Sequence, residues 1–335
     1  MGRYDGSYIF PEEGRFGFFP GFSVGWRATQ EDWFRDMTEF FDELKLRVSW
    51  GQTGNDRINE WQYLSTFGFN RGYVYGTDEV PTIGPERTPN PNISWEVANQ
   101  FNVGLEGRIL SDRLTFEFDH FRYLRTDILH YRNASVPETS GLSLPRENIG
   151  EVRSWGYEGS VSWFDQANSD FSYGATFNLS YATNEIKYWD EPPGAPEWQR
   201  STGHPMNTGL YYRSIGVFES WEDVENYPSW PGARPGDIIF EDVNGDGIID
   251  ANDRVRIDKT GLPKWTAGLH LNANYKSFDL SLFLQGAAGA AQYVFSRSGE
   301  LGNFFQEFAE RRWTPDNPNP NHPRTFNRTE DYWGN

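Results

Sequence analysis

Oxygen-bearing side chains recur between residues 242 and 253 at the spacing of a calcium-binding loop. With Asp242 as position 1, side-chain oxygens fall at positions 1, 3, 5, 9 and 12, and Gly247 falls at position 6, where such a loop must reverse sharply. A hard cation takes six or more oxygen ligands, and the residue at position 7 supplies one from its backbone carbonyl. We therefore predict a Ca²⁺ site formed by Asp242, Asn244, Asp246, Ile248, Asp250 and Asp253.

The residues in and around this loop limit what the ion would do. Position 12 is Asp253, whereas a calcium loop of this kind carries a bidentate glutamate there, so we expect modest affinity. Ile238–Phe240 before the loop and residues 255–257 after it are strand-like, so the ion would pin a loop between strands and would not open a pair of helices. The alternative is an Asp-, Asn- and Gly-rich turn without a metal, because these residues favour turns in any case.

No set of residues in the sequence points to catalysis. The five histidines stand apart, with no pair at metal-binding spacing. Residues 21–25 formally match the G-x-S-x-G nucleophile elbow around Ser23, but the residues that follow stay strand-like, where the motif requires a turn into a helix. We therefore expect that the chain is not an enzyme.

The composition excludes several kinds of partner. A formal net charge of −18 argues against nucleic-acid binding, which requires a basic surface. The chain has no cysteine, and therefore neither disulfides nor thiolate chemistry. Only 37% of residues are hydrophobic, yet 17% are aromatic, which is typical of aromatic-rich strands joined by polar turns. The absence of a run of 18 apolar residues excludes a transmembrane helix but not a membrane β-barrel, whose strands alternate.

Alternation of apolar and polar residues predicts an all-β chain. In residues 171–181 every odd position is apolar or aromatic and every even one is small or polar. This run is about as long as a tilted, bilayer-spanning strand. Trp265–Tyr275 and residues 278–284 predict two further strands joined by a tight turn, and residues 30–44 predict one short helix.

The connections between the predicted strands differ strongly in length. Tight turns at 111–113, 166–170 and 276–277 alternate with long loops at 52–94, 137–145, 190–209 and 219–235. Short periplasmic turns and long extracellular loops are typical of outer-membrane barrels, so we favour an antiparallel transmembrane β-barrel over a soluble sandwich or propeller. Tryptophans in the loops could stack on sugar rings or pack the loops themselves; they are Trp189, Trp198, Trp221 and Trp230.

Five stretches of the chain carry recognisable motifs: RFGFFPGFSVGWR at 15–27, LRVSWGQTGN at 46–55, WGYEGS at 155–160, GDIIFEDVNGDGIID at 236–250 and PKWTAG at 263–268. In type and order they resemble the C-terminal, barrel-forming half of SusC/RagA-type TonB-dependent outer-membrane transporters, over nearly the whole chain. The resemblance implies a multi-pass β-barrel in the outer membrane that imports glycans, oligosaccharides or peptides. It also implies the TonB complex as energy source and a SusD-like surface lipoprotein as a lid.

The chain departs from that family at both ends. Residues 1–335 contain no recognisable TonB box, plug or early barrel strands, and the residues up to Asn335 are loop-like, without the aromatic-ended last strand of that family. We expect residues 1–335 to be a partial barrel without plug, early strands and final strands, with a calcium-loop insertion at 236–258. The alternative is a soluble, secreted, calcium-stabilised β-protein that binds or hydrolyses glycans. It requires the odd-numbered face of residues 171–181 to be buried under another layer, whereas a barrel leaves that face to lipid.

Overall fold

The computed structural model describes residues 1–132, 144–292, 304–319 and 321–325, and of Asn70 and Arg71 only the backbone. The chain forms two compact units. Unit 1 comprises Met1–Pro193, Thr202–Met206 and Leu262–Ala290, and unit 2 comprises Gly194–Ser201, Asn207–Gly261 and Ala291–Asn335. None of the helices in these described ranges is long and apolar enough to cross a membrane.

Strands dominate unit 1. They are β1 (Gly2–Gly6), β2 (Phe16–Arg27), β3 (Phe41–Asn55), β4 (Phe67–Tyr75), β5 (Asp78–Pro85), β6 (Glu96–Ile109), β7 (Leu114–Tyr131), β8 (Arg146–Asn168) and β9 (Phe171–Tyr188). Unit 2 contributes β10 (Leu210–Tyr211), β11 (Ser214–Val217), β12 (Ile238–Phe240) and β13 (Val255–Arg256), and the chain then returns to unit 1 for β14 (Trp265–Tyr275) and β15 (Phe278–Ala288). The described ranges contain three short α-helices: α1 (Asp32–Met37), α2 (Trp221–Asn226) and α3 (Gln306–Arg311).

The strands of unit 1 form one nine-stranded sheet and one separate hairpin. The sheet order is β1-β2-β3-β6-β7-β8-β9-β14-β15, and every neighbouring pair is antiparallel. The hairpin pairs β4 with β5. The predicted all-β antiparallel fold is confirmed, and in the described part of the chain β1 and β15 form the two edges of the sheet.

Residues that lie directly opposite each other in an antiparallel sheet share a face, so the register assigns each side chain to one of the two faces of the sheet. One row across eight strands is almost entirely apolar: Trp26, Leu46, Leu105, Phe118, Gly159, Leu179, Ala267 and Gly286. The adjacent row across the same strands lies on the other face and is small or polar: Gly25, Arg47, Gly104, Asp119, Glu158, Ser180, Thr266 and Ala287. The sheet therefore has an apolar face and a polar face.

Because the strands are antiparallel, alternate connections lie at the same end of the sheet. One end, which we call the turn end, carries the connections at 110–113, 169–170 and 276–277 together with residues 28–40, which include α1. The other, the loop end, carries residues 7–15 and 56–95, and it is also where β7 and β9 end and where β8 and β14 begin. The tight turns predicted at 111–113, 166–170 and 276–277 are confirmed, with bounds shifted by up to three residues.

Other predicted elements differ from the structure. The helix predicted over 30–44 is reduced to α1, because β3 begins at Phe41 and takes up the residues that follow. Residues 52–94 are not loop throughout, since β3 continues to Asn55 and β4 and β5 form a hairpin. Most of the loop predicted at 137–145 lies outside the described residues.

Unit 2 has its own small core. β10 pairs with β13 and β11 with β12, both antiparallel. The buried residues packed between these strands and the adjacent loops are Tyr212, Phe218, Trp230, Ala233, Phe240 and Ile249. The segment predicted as a calcium-loop insertion, 236–258, lies within this unit.

Candidate functional site

The first half of the loop at 242–253 is closed by hydrogen bonds from its backbone to its side chains. Asp242 accepts from the backbone N–H groups of Gly245 (2.8 Å) and Gly247 (2.9 Å). Asp246 accepts from the Ile248 N–H (2.8 Å) and from the Asn244 side-chain amide (2.8 Å). Gly247 has a φ of +81°, as expected for the residue at which the loop reverses. The structure thus brings Asp242, Asn244 and Asp246 together.

The second half of the loop is anchored by buried residues. Asp253 is fully buried and accepts from the backbone N–H groups of Val243 (2.9 Å) and Asp250 (2.8 Å). Ile249 is 1% exposed within the core of unit 2, whereas Ile248 is exposed. Asp250 caps the short 3-10 turn Ala251–Asp253 through the Asn252 N–H (2.7 Å). The loop is therefore ordered by its own residues and by the core beneath it.

The four carboxylates of the loop remain uncompensated by basic residues. In the described part of the chain, none of Asp242, Asp246, Asp250 and Asp253 forms an ion pair with Lys, Arg or His. The donor set, carboxylate and amide oxygens, is the one that hard divalent cations prefer. However, no group of three or more His, Asp or Glu residues is arranged to hold a metal among the residues that the structure describes. The Ca²⁺ site therefore stays a prediction.

The polar face carries a network of ion pairs close to the turn end. Arg47 contacts Glu106, Glu117 (2.8 Å) and Asp119 (3.1 Å) on the two strands that follow it in the sheet, and Lys45 lies 3.2 Å from Glu106. All of these side chains keep partial contact with solvent, with Asp119 the least exposed at 15%. Charged side chains paired in this way fit a water-filled interior and not a bilayer.

The apolar face is exposed and carries aromatic rows. Phe177 is 45% exposed, Leu179 38% and Tyr157 46%. Tyr157 and Tyr181 lie opposite each other, and Tyr181 packs on Trp265 with ring centroids 4.5 Å apart. Exposed aliphatic side chains bordered by aromatic rings are the pattern of a surface that meets lipid at the membrane interface. The burial that the soluble alternative requires for residues 171–181 is therefore contradicted.

Comparison with known proteins identifies the family. Residues 2–333 match the family model described as TonB dependent receptor-like, beta-barrel. The chain belongs to this family. TonB-dependent receptor P26 of Formosa agariphila is 28% identical over 97% of the chain, and TonB-dependent receptor SusC of Bacteroides thetaiotaomicron is 28% identical over 88% of it. The match covers 34% of P26 and 29% of SusC, so the chain spans about a third of these relatives.

Solved structures support the same fold. The structure titled "Structure of the RagAB peptide transporter" superposes with a TM-score of 0.70 at 21% identity, covering 94% of this chain and 35% of that one. The "open-open" state of the RagAB peptide importer gives a TM-score of 0.71, also at 21% identity, over 96% of this chain. The resemblance to SusC/RagA-type transporters is confirmed. TonB-dependent receptor barrels are outer-membrane transporters and receptors, not enzymes.

The four loop tryptophans considered for stacking on sugar rings have different surroundings in the structure. Trp230 is 2% exposed in the core of unit 2, which excludes stacking on a sugar. The Trp198 indole donates to the Asn252 carbonyl (2.8 Å), and Trp189 lies flat on His130 at 4.3 Å. Trp221, at 60% exposure, is the freest of the four.

Residues considered for catalysis are placed apart in the barrel. Ser23 lies in the middle of β2, so the nucleophile-elbow match is a strand, as predicted. His120 contacts the Gly156 carbonyl (3.0 Å) and His270 the Ser281 hydroxyl (2.8 Å), on different strands.

The structure also contains a cavity lined by Arg57 and Arg146 that the sequence did not predict, because residues so distant in the chain form no local motif.

Proposed function

We propose that this chain is part of the wall of an outer-membrane importer for glycans, oligosaccharides or peptides. The observation that carries the proposal is the pair of adjacent rows across eight strands, one apolar and exposed, the other small or polar. Such a wall separates hydrocarbon from an aqueous passage. A passage needs no catalytic group, which agrees with the expectation from the sequence that the chain is not an enzyme.

The partners of the proposed importer follow from its relatives. The relatives are TonB-dependent receptors, and two of the similar structures are named as a peptide transporter or importer, RagAB. We infer that the full-length protein draws energy from the TonB complex, is bounded by outer-membrane lipid, and works with a SusD-like surface lipoprotein. A net charge of −18 disfavours nucleic acid as a partner.

Growth on defined nutrients tests this function. The gene for the full-length protein is deleted, and the strain is grown with either an oligosaccharide mixture or a peptide mixture as the limiting nutrient. We expect growth on one mixture to fail and to return when the intact gene is supplied, and the lipoprotein to co-purify with the restored protein. Unchanged growth of the deletion strain on both mixtures contradicts an import role.

We further propose that the loop at 242–253 binds Ca²⁺. The ligands would be the side chains of Asp242, Asn244, Asp246, Asp250 and Asp253 and the backbone carbonyl of Ile248. A divalent cation supplies the positive charge that the four carboxylates lack among the described residues. Its effect would be to stiffen the loop on the core of unit 2.

A further inference from the structure

A cavity of about 510 Å³ lies at the loop end of unit 1. The segment after β3, the start of β6, the end of β7 and the start of β8 contribute its walls, and the residues that matter here are Arg57, Asn59, Ser94, Glu96, Ile128 and Arg146. The volume is within the range of small-ligand sites, about 300–1,000 Å³. The cavity is therefore large enough for one sugar or amino-acid residue of a longer molecule.

Two guanidinium groups of this cavity have no carboxylate partner. In the part of the chain that the structure describes, neither Arg57 nor Arg146 forms an ion pair. The carboxylate in the cavity, Glu96, already contacts Arg125 (3.2 Å) and the Asn55 side chain (3.4 Å). In a chain with 48 acidic and 30 basic residues, two unpaired arginines in one cavity leave a local excess of positive charge.

The surroundings of these arginines favour a planar anion. The guanidinium of Arg146 lies over the ring of Tyr131, 4.9 Å from its centroid. Stacking of this kind fixes the plane of the guanidinium and leaves the N–H groups at its edge free to donate. The Ser94 hydroxyl and the Asn59 side-chain amide also have no hydrogen-bond partner within the described ranges, so they can donate to the same ligand.

We propose that this cavity binds a carboxylate group of the imported molecule. The edge of a guanidinium group can form bidentate hydrogen bonds to a carboxylate, and the Ser94 hydroxyl and the Asn59 amide supply further hydrogen bonds. Ile128, only 9% exposed, gives the cavity an apolar side for the carbon atoms next to the carboxylate. The inference rests on the proposed import function and narrows its substrates to molecules that carry a carboxylate group. The carboxylate comes either from a peptide or from a uronic acid of a glycan.

Matched ligand pairs test the inference on the full-length protein in detergent. The probes are a hexapeptide with a free C-terminal carboxylate and its C-terminal amide, and a trigalacturonate and its methyl ester. Binding is measured by calorimetry for the wild type, Arg57→Gln and Arg146→Gln. Arg35→Gln is the control, because Arg35 lies on α1 at the turn end and is 63% exposed. Circular dichroism establishes that each variant is folded.

We expect the acid of one pair to bind at least about 10-fold more tightly than its neutral partner, the effect of about one charge-assisted interaction. Arg57→Gln and Arg146→Gln abolish this preference, and Arg35→Gln retains it. The pair that shows the preference identifies the source as peptide or acidic glycan. Equal affinity within both pairs, no binding of any probe, or an unchanged preference in both cavity variants overturns the inference. If the carboxylate inference fails but growth on the limiting nutrient still requires the gene, the proposed import function is retained.

Discussion

Arg324 makes two hydrogen bonds to Asp237, from Nε to Oδ1 at 2.6 Å and from Nη2 to Oδ2 at 3.2 Å. Asp237 is fully buried and also accepts from the Arg234 backbone N–H at 2.9 Å. The pair joins residues 87 positions apart. It therefore holds the C-terminal part of unit 2 on the segment that leads into β12.

Asp237→Asn is expected to loosen unit 2. Asn removes the negative charge from a fully buried position that is paired with Arg324, and breaking a buried ion pair in this way costs about 3 kcal/mol. Hydrogen exchange of the amides in residues 236–240 should therefore be about 100-fold faster than in the wild type, measured by mass spectrometry on the full-length protein.

Arg213→Gln serves as the control for that experiment. Arg213 pairs with Glu241 at 2.6 Å, but its side chain is 58% exposed, and exposed pairs contribute little. Exchange in residues 236–240 should be close to that of the wild type. An equal effect of the two substitutions would contradict the structural role of the buried pair.

Calorimetric titration of Ca²⁺ into the full-length protein tests the metal proposal. We expect saturable binding in the wild type and none in Asp246→Ala, because Asp246 stands at the centre of the first half of the loop. Glu225→Ala, which removes an acidic side chain from α2, should bind as the wild type does. Equal heats of Ca²⁺ binding for the wild type and Asp246→Ala would contradict a Ca²⁺ site in this loop.

Neighbouring residues on β9 test the two faces of the wall. Leu179→Arg places a charge on the apolar face and should lower the free energy of unfolding in lipid vesicles by about 2–4 kcal/mol, measured by urea titration. Asn178→Arg, one residue away on the polar face, should change it far less. A smaller loss for Leu179→Arg than for Asn178→Arg would show that the faces are assigned the wrong way round.

The α2 helix is expected to depend on pH through Asp223. The Ser220 hydroxyl, the Ser220 N–H (2.9 Å) and the Glu219 N–H (3.0 Å) hold the pKa of Asp223 below its ordinary value. A folded-state pKa below the unfolded one means that the stabilisation is complete at neutral pH and disappears as the pH falls through the lowered pKa.

Hydrogen exchange of residues 219–228 checks this dependence with Asp223→Asn. At neutral pH the variant should exchange faster than the wild type, because it lacks the charge that accepts these hydrogen bonds. The difference should narrow as the pH is lowered from about 5 to about 2. A difference that stays constant over this range would mean that the charge of Asp223 does not stabilise the helix.

The strands of the wall could be predicted from the sequence because their pattern is local. Residues 171–181 alternate without a break, and the structure extends the same strand to Tyr188. Trp265–Tyr275 has the predicted bounds. The helix at 30–44 was predicted too long because Phe40 and Phe41 continue the helical spacing, although Phe41 begins β3 and pairs with Ile109. Propensity was overridden there by pairing between distant strands.

The remaining features depend on contacts between residues that are distant in the sequence, so no local sequence pattern predicts them. The β4–β5 hairpin contains glycines and Pro81, which favoured a loop, yet a lone two-stranded hairpin tolerates proline on its unpaired side. The six residues of the predicted calcium loop were readable because they are adjacent in sequence. Arg57 and Arg146, and likewise Asp237 and Arg324, come together only after folding.

The β10–β13 ladder affects how the wall can assemble. β9 and β14 are neighbours in the sheet although the chain between them is long, and closing a long flexible loop costs entropy. Pairing of Leu210 with Arg256 closes off residues 211–255 within the segment that connects β9 to β14. Once β10 and β13 have paired, the flexible chain that connects β9 to β14 is effectively shorter. β14 can then add to β9 in chain order, as a strand joined by a short loop would.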